Sequence, residues 1–230
     1  MNPSLNLFVL DDNNRLSLIT RIIKNNNGCF FNFKKNYGDD NWYLCSFRPI
    51  NKKQQIIKNI EIWFVTFHPD IEREFVEHVV TKCYNLARNM STENMPDFTD
   101  KAKKDLVDCI DRSFYKFSHV TDEKYNIISF VANIFFNLVI GHILGNGNKR
   151  FATATMIWLL YFFGYYFKGT RGKWINYEKI EDKVCDFVIK WQNRVVSNRD
   201  ELVDEISEWI LDNVVISRDR IIKSDEQSGQ

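Results

Sequence analysis

The sequence predicts a mainly helical protein with a small antiparallel β-sheet at its N-terminal end. Three observations lead there. Residues 127–145 and 151–167 are apolar and nearly free of charge, as suits two helices buried on most sides in a bundle. From residue 70 onward, apolar residues return at helical spacing. Before residue 70, aromatic and β-branched residues gather in short runs divided by turn chemistry.

In order along the chain, residues 15–27 predict a short helix. Leu16, Ile19, Ile22 and Ile23 lie on one side, and Gly28 ends it. Residues 29–33, 42–47 and 60–67 predict three antiparallel strands, with 38–41 as the first turn and Pro49 closing the second strand. Pro69 closes the third, and Asp70 can cap the next helix. That helix runs to about Asn89, with Ile71, Phe75, Val79, Tyr84 and Leu86 in its pattern. Residues 90–98 are polar and contain Pro96, hence a loop. Residues 100–117 form an amphipathic helix with Leu106, Val107, Ile110, Phe114 and Phe117 inward. Asp122 opens a central helix ending near His142, and a second apolar helix runs from about Asn148 to Tyr166. Residues 168–172 are a loop. Residues 177–191 form a helix through Ile180, Val184, Phe187, Val188 and Trp191. Ser197 with Asp200 reads as a capping box for the last helix, whose inner face is Leu202, Ile206, Trp209, Ile210 and Val214. The domain division expected is an N-terminal extension over 1–69, a helical domain over 70–216 and a polar tail over 217–230.

Composition narrows the function. With 31 basic and 30 acidic residues the net charge is +1, so no global field favours nucleic acid or an anionic membrane. Lys101, Lys103 and Lys104 read as a solvated helix face. The five cysteines have no zinc spacing and suggest no disulfide framework, which points to a cytoplasmic setting. A membrane hairpin would set Lys149 and Arg150 in a tight turn at a headgroup surface, so buried bundle helices are the better reading. His68, His78 and His119 read as structural or solvated, with no metal-ligand spacing.

The ten residues 141–150 carry the chemistry: His142, three glycines, Asn146, Asn148, Lys149 and Arg150. Gly145 and Gly147 allow a sharp turn and close approach to a ligand. The following helix start offers free amides and partial positive charge to phosphate oxygens. Arg150 adds a bidentate fork and Lys149 a point charge. An imidazole, with a usual pKa of ~6.5, can accept a proton near neutral pH. A base beside an anion cradle suits transfer of a phosphate-containing group to a hydroxyl.

On these residues the chain resembles the Fic/Doc family, whose motif reads His-x-Phe-x-(Asp/Glu)-(Gly/Ala)-Asn-(Gly/Lys)-Arg. His142, Leu144, Asn146, Gly147, Asn148, Lys149 and Arg150 occupy the corresponding positions. The flanking helices match in character, and the resemblance covers about residues 100–195. It implies a Fic-like helical bundle that moves a phosphoryl or AMP group from ATP to a Ser, Thr or Tyr hydroxyl of a target protein. His142 would take the hydroxyl proton. Gly145, Gly147, Asn148, Lys149 and Arg150 would hold the nucleotide. Lys149 matches the Doc branch, which is linked to phosphoryl transfer. The resemblance also implies a toxin of a toxin–antitoxin pair, with an antitoxin-like protein as partner.

Two positions depart from the motif. Leu144 replaces Phe as an apolar anchor. Asn146 replaces the carboxylate that binds Mg2+ in the family, which predicts weakened metal binding, since magnesium favours charged oxygen ligands. Members silenced in cis carry a Ser/Thr-x-x-x-Glu-Gly/Asn pattern. Only residues 197–201 have its spacing, and Leu202 follows there. The alternative function is a catalytically weakened binding or adaptor protein on the same fold.

Overall fold

The computed structural model describes residues 4–10, 18, 29–35, 42–49, 58–68, 72–91, 93–118, 126–167, 170–171, 174–175, 177–196 and 198–215. In chain order these form β1 (Ser4–Val9), β2 (Cys29–Lys35), β3 (Trp42–Pro49) and β4 (Lys58–Thr66), then α1 (Arg73–Arg88), α2 (Asp100–Ser118), α3 (Ile127–Ile140) and α4 (Asn148–Phe162). The chain continues through β5 (Tyr166–Phe167), β6 (Thr170–Arg171), β7 (Trp174–Ile175), α5 (Glu178–Gln192), α6 (Arg199–Asn213) and β8 (Val214–Val215). The protein is mainly helical with a small N-terminal sheet.

The sheet has four strands in the order β1-β4-β3-β2. The pairs β2–β3 and β3–β4 are antiparallel, as expected. The addition is β1, which pairs parallel to β4 from Ser4↔Glu61 to Val9↔Thr66 and makes the sheet mixed. Leu7 and Val9 are buried between exposed Asn6 and half-buried Phe8, the period-two signature of a strand with one covered face. The helix expected over 15–27 lies outside the described residues except for Leu18.

Helix α3 sits at the centre, packed by α2, α4 and α6. Eleven of its fourteen residues are buried, which accounts for its near absence of charge. At 1.5 Å per residue it spans about 21 Å, short of a hydrocarbon core. No helix among the described residues is long and apolar enough to cross a membrane. Its apolar run instead meets other rings. Phe130 packs edge-on against Phe114 and Phe117, each 4.8 Å between centroids, and Phe67 from the end of β4 packs on Phe163 at 4.8 Å.

Several boundaries move from the expected positions, each for a local reason. Helix α1 has Glu72 at its N-cap, and Asp70 lies outside the described residues. Helix α3 starts after Asn126, whose side chain accepts from the amides of Ile128 and Ser129, and Asp122 lies outside the described residues. Helix α6 is capped by Asn198, which accepts from Glu201 N, rather than by Ser197, which lies outside the described residues. Helix α4 stops at Phe162 rather than Tyr166. Gly164 adopts φ 88° there, Tyr165 N donates to Leu160 O and Gly164 N to Tyr161 O, a glycine-ended C-cap. Tyr166 and Phe167 then pair antiparallel with Val215 and Val214. The region expected as the 168–172 loop contributes a short antiparallel β6–β7 pair.

The sheet is tied to the bundle at the same turn. Phe8 N donates to Phe163 O at 3.0 Å, and the Tyr165 phenol donates to Phe8 O at 2.8 Å. A Cβ on Gly164 would lie 2.3 Å from Asn6 O. Glycine is needed there both for its backbone angle and for the closeness of β1.

Candidate functional site

The signature residues lie in the turn joining α3 to α4. Gly141 caps α3, donating to Asn137 O at 3.0 Å, and His142 follows in the left-handed region at φ 45°. His142 is therefore past the helix end rather than on its last turn. Its imidazole is exposed and makes no hydrogen bond among the described residues. Leu144 is buried and anchors the loop. Gly147 is the N-cap of α4 at φ 89°, and the first amides of α4 have no intrahelical acceptors.

Asn148 acts on the loop itself. Its Oδ1 accepts from Leu144 N at 2.8 Å and its Nδ2 donates to Leu144 O at 2.5 Å. These bonds close the turn. The side chain is thus a clasp in this conformation, and its phosphate-binding expectation falls to its backbone amide.

Arg150 is only 4% exposed in the first turn of α4. Its Nη1 donates to Glu93 O at 2.6 Å. Its Nη2 lies 3.7 Å from Glu93 Oε2, an ion-pair distance too long for a hydrogen bond, and has no hydrogen-bond partner. A buried guanidinium nitrogen without a partner is costly, and an anion would satisfy it.

The segment around residues 93–98 lies across this helix start. Met95 packs on Gly147, where an added Cβ would meet Met95 side-chain atoms at 2.9 Å. Asn146 Nδ2 donates to Asn94 O at 3.3 Å. Tyr84 holds the segment from α1, donating to Pro96 O and stacking on Phe98 with centroids 4.0 Å apart. Glu93 was not singled out by the sequence reading, because 57 positions separate it from Arg150.

Lys149 points its Nζ to Cys185 Sγ on α5 at 3.1 Å. Gly145 is exposed, with nothing within 4 Å of an added Cβ. Tyr177, buried at the start of α5, is a further neighbour that sequence reasoning missed. Burial pushes its phenol well above the ordinary range, and Glu181 and Cys185 push the same way. It therefore stays neutral.

His142 also borders a cavity of about 660 Å3. Ile140, Trp191 and Val196 form the apolar wall, and Gln192, Arg194 and Asn198 bring polar groups. None of Asn148, Lys149 and Arg150 lines this cavity. The cavity and the start of α4 are therefore lined by different residues.

The residues fit magnesium poorly. Asn146 offers a neutral oxygen, Lys149 and Arg150 bring positive charge, and the adjacent carboxylate of Glu93 faces Arg150. Among the described residues no group of three or more His, Cys, Asp or Glu is placed to hold a metal ion. No family model, curated protein or solved structure matches the chain.

Proposed function

We propose that this chain is a Fic/Doc-type transferase that moves a phosphoryl or AMP group from ATP to a Ser, Thr or Tyr hydroxyl of a protein. The carrying observation is Arg150, buried at the start of α4 with an Nη2 that has no hydrogen-bond partner and only a long ion-pair contact to Glu93. Nucleotide phosphate would take the place of Glu93 on that guanidinium and accept from the α4 amides. Met95 and Glu93 would move aside, since they cover Gly147 and Arg150.

In the transfer, the target oxygen attacks phosphorus and an O–P bond forms. The phosphoanhydride bond breaks, and its electron pair leaves with ADP or pyrophosphate. The hydroxyl proton passes to the unprotonated ring nitrogen of His142, whose imidazole is exposed and has no hydrogen-bond partner among the described residues. The α4 amides and Arg150 stabilise the charge on the phosphoryl oxygens. Lys149, at the position that marks the Doc branch, favours phosphoryl over AMP transfer. No step is routed through a metal, given the neutral Asn146. The proposed setting is the cytoplasm, with an antitoxin-like protein as a further partner.

The test is mass spectrometry of a lysate incubated with the protein and ATP, beside ATP titration calorimetry. The expected result is a target that gains the mass of a phosphate or of AMP. His142→Ala loses transfer and keeps ATP binding, whereas Arg150→Lys weakens ATP binding by about tenfold or more, because the fork is lost. Transfer that persists in His142→Ala overturns this mechanism. A second reading, a binding or adaptor protein, draws on the internal partners that Asn148, Lys149 and Arg150 already have. Absence of both ATP binding and any mass gain favours it.

A further inference from the structure

The cavity beside His142 belongs to neither the α4 helix start nor the segment over it. It opens between the end of α3 and the connection from α5 to α6. Among the described residues, two non-glycine side chains sit at positive φ, His142 at 45° and Arg194 at 53°, and both line this cavity. Arg194 occupies the position after the α5 C-cap. Val195 N donates to Lys190 O and Arg194 N to Trp191 O, the same pattern of bonds that ends α4 at Gly164. That turn favours glycine, and here it carries arginine.

The lining is unbalanced in charge. The Arg194 guanidinium and the Gln192 amide have no hydrogen-bond or ion-pair partner among the described residues. Asn198 uses its Oδ1 to cap α6, which leaves its Nδ2 free. No carboxylate among the described residues lines the cavity. Donors therefore outnumber acceptors around an apolar floor of Ile140 and Trp191, with Trp191 held edge-on by Phe136 at 5.1 Å. Pockets of ~300–1,000 Å3 with a few converging polar groups are the usual form of ligand sites.

We infer that this cavity is the acceptor subsite, binding an acidic peptide segment that presents its hydroxyl to His142, with Arg194 selecting the acidic side chain. The inference rests on the transferase reading for the role of His142 as base. A base has to touch the acceptor hydroxyl, and this cavity is lined by His142 and by none of the residues assigned to phosphate. Charge complementarity selects an acidic segment over a basic one.

The test uses the full chain and two fluorescein-labelled hexapeptides, Glu-Asp-Glu-Tyr-Ile-Glu and the same peptide with lysine for each acidic residue, followed by anisotropy without nucleotide. The acidic peptide should bind about tenfold or more tightly than the basic one. Arg194→Gly, which keeps the left-handed backbone without cost, should weaken it by about tenfold, the loss expected for one charge-assisted contact. Lys116→Glu on the remote α2 should leave it unchanged, which separates a local site from global charge. With ATP added, Arg194→Gly should raise KM for the peptide and hold kcat. Equal binding of the acidic peptide by wild type and Arg194→Gly overturns the inference. So does ATP competing with the peptide in a manner abolished by Arg194→Gly, because the cavity would then hold nucleotide. Peptide binding lost in Arg194→Gly, in a protein that neither binds ATP nor modifies the peptide, supports the acidic-peptide site and sinks the transferase reading alone.

Discussion

Arg194 and Gly164 stand at equivalent positions of two helix ends, and the same backbone angle costs them different amounts. A left-handed conformation disfavours any residue with a Cβ by roughly 1 kcal/mol. At Gly164 an added Cβ also meets the carbonyl of Asn6 at 2.3 Å, where neither backbone can give way easily. Gly164→Ala should therefore destabilise by about 2–3 kcal/mol in urea denaturation. Arg194→Gly should stabilise by about 0.5–1 kcal/mol, because the strain goes and no packing is lost at an exposed position. An Arg194→Gly variant less stable than wild type would mean that the guanidinium supports the fold, contrary to its lack of partners. The two glycines of the signature turn differ as well. Gly147 lies under the flexible end of Met95, whereas Gly145 faces open space.

Arg199 shows how the polar residues of an apolar helix are used at the scale of whole elements. A cation in the first turn of α6 runs against the helix dipole. It stays because Nη2 donates to Asn133 Oδ1 and to Asn137 Oδ1 on α3, and its guanidinium lies 5.2 Å from the Phe136 ring. Asn137 in turn donates to Ser113 Oγ on α2 at 3.0 Å. One chain of bonds thus registers two helices, α2 and α6, on the helix that ends beside His142. Arg199→Ala leaves two largely buried carbonyl oxygens short of a donor and should cost about 2–3 kcal/mol by denaturant titration. Helices α5 and α6 are joined differently, through Lys183 and Lys190 on the Asp186 and Glu205 carboxylates, the shortest contact being Lys190 Nζ to Glu205 Oε1 at 2.6 Å. The hydrogen bond from Lys183 holds Asp186 below the usual carboxylate range. Burial alone would raise Glu205, but the bonds from Lys190 and Lys183 outweigh it and hold it low. Carboxylates depressed by folding stabilise above their unfolded pKa, and this is lost as pH falls through the folded value. Glu205→Gln should therefore cost about 0.5–1 kcal/mol at neutral pH, with the gap closing below about pH 4. Urea midpoints at the two pH values measure it, and a gap of equal size in acid would refute the ionic origin.

Across the whole molecule, the N-terminal sheet is secured to the bundle at the end of α4. The Tyr165 phenol is buried, pushed far above its ordinary range by that burial, and donates to Phe8 O. Tyr165→Phe should cost about 1 kcal/mol in thermal or urea unfolding and leave ATP affinity unchanged. A change in ATP affinity would show that the sheet communicates with the signature turn. The bundle was legible beforehand because α2, α3 and α5 carry strong periodicity or unbroken apolar runs, which burial demands whatever the partners are. The end of α4 was not, because Gly164 had to compete with four aromatic neighbours that could equally continue a helix. Strand β1 was missed because its partner β4 lies more than fifty positions away. In the turn, residue types announced a base and an anion cradle, yet nothing local revealed that Glu93 and Met95 lie on it.

The sequence by itself determined the composition of the turn, the apolar helices on either side and the presence of a separate aromatic sheet region. These follow from short-range rules: glycine where the chain bends, apolar faces where it is buried, alternation where it is extended. Tertiary structure alone decided which groups meet: Glu93 with Arg150, Lys149 with Cys185, Arg199 with Asn133 and Asn137, and Arg194 with His142 around one cavity. Each of these pairings is chosen by the packing of helices distant in sequence, and side-chain chemistry restricts such partners without specifying them.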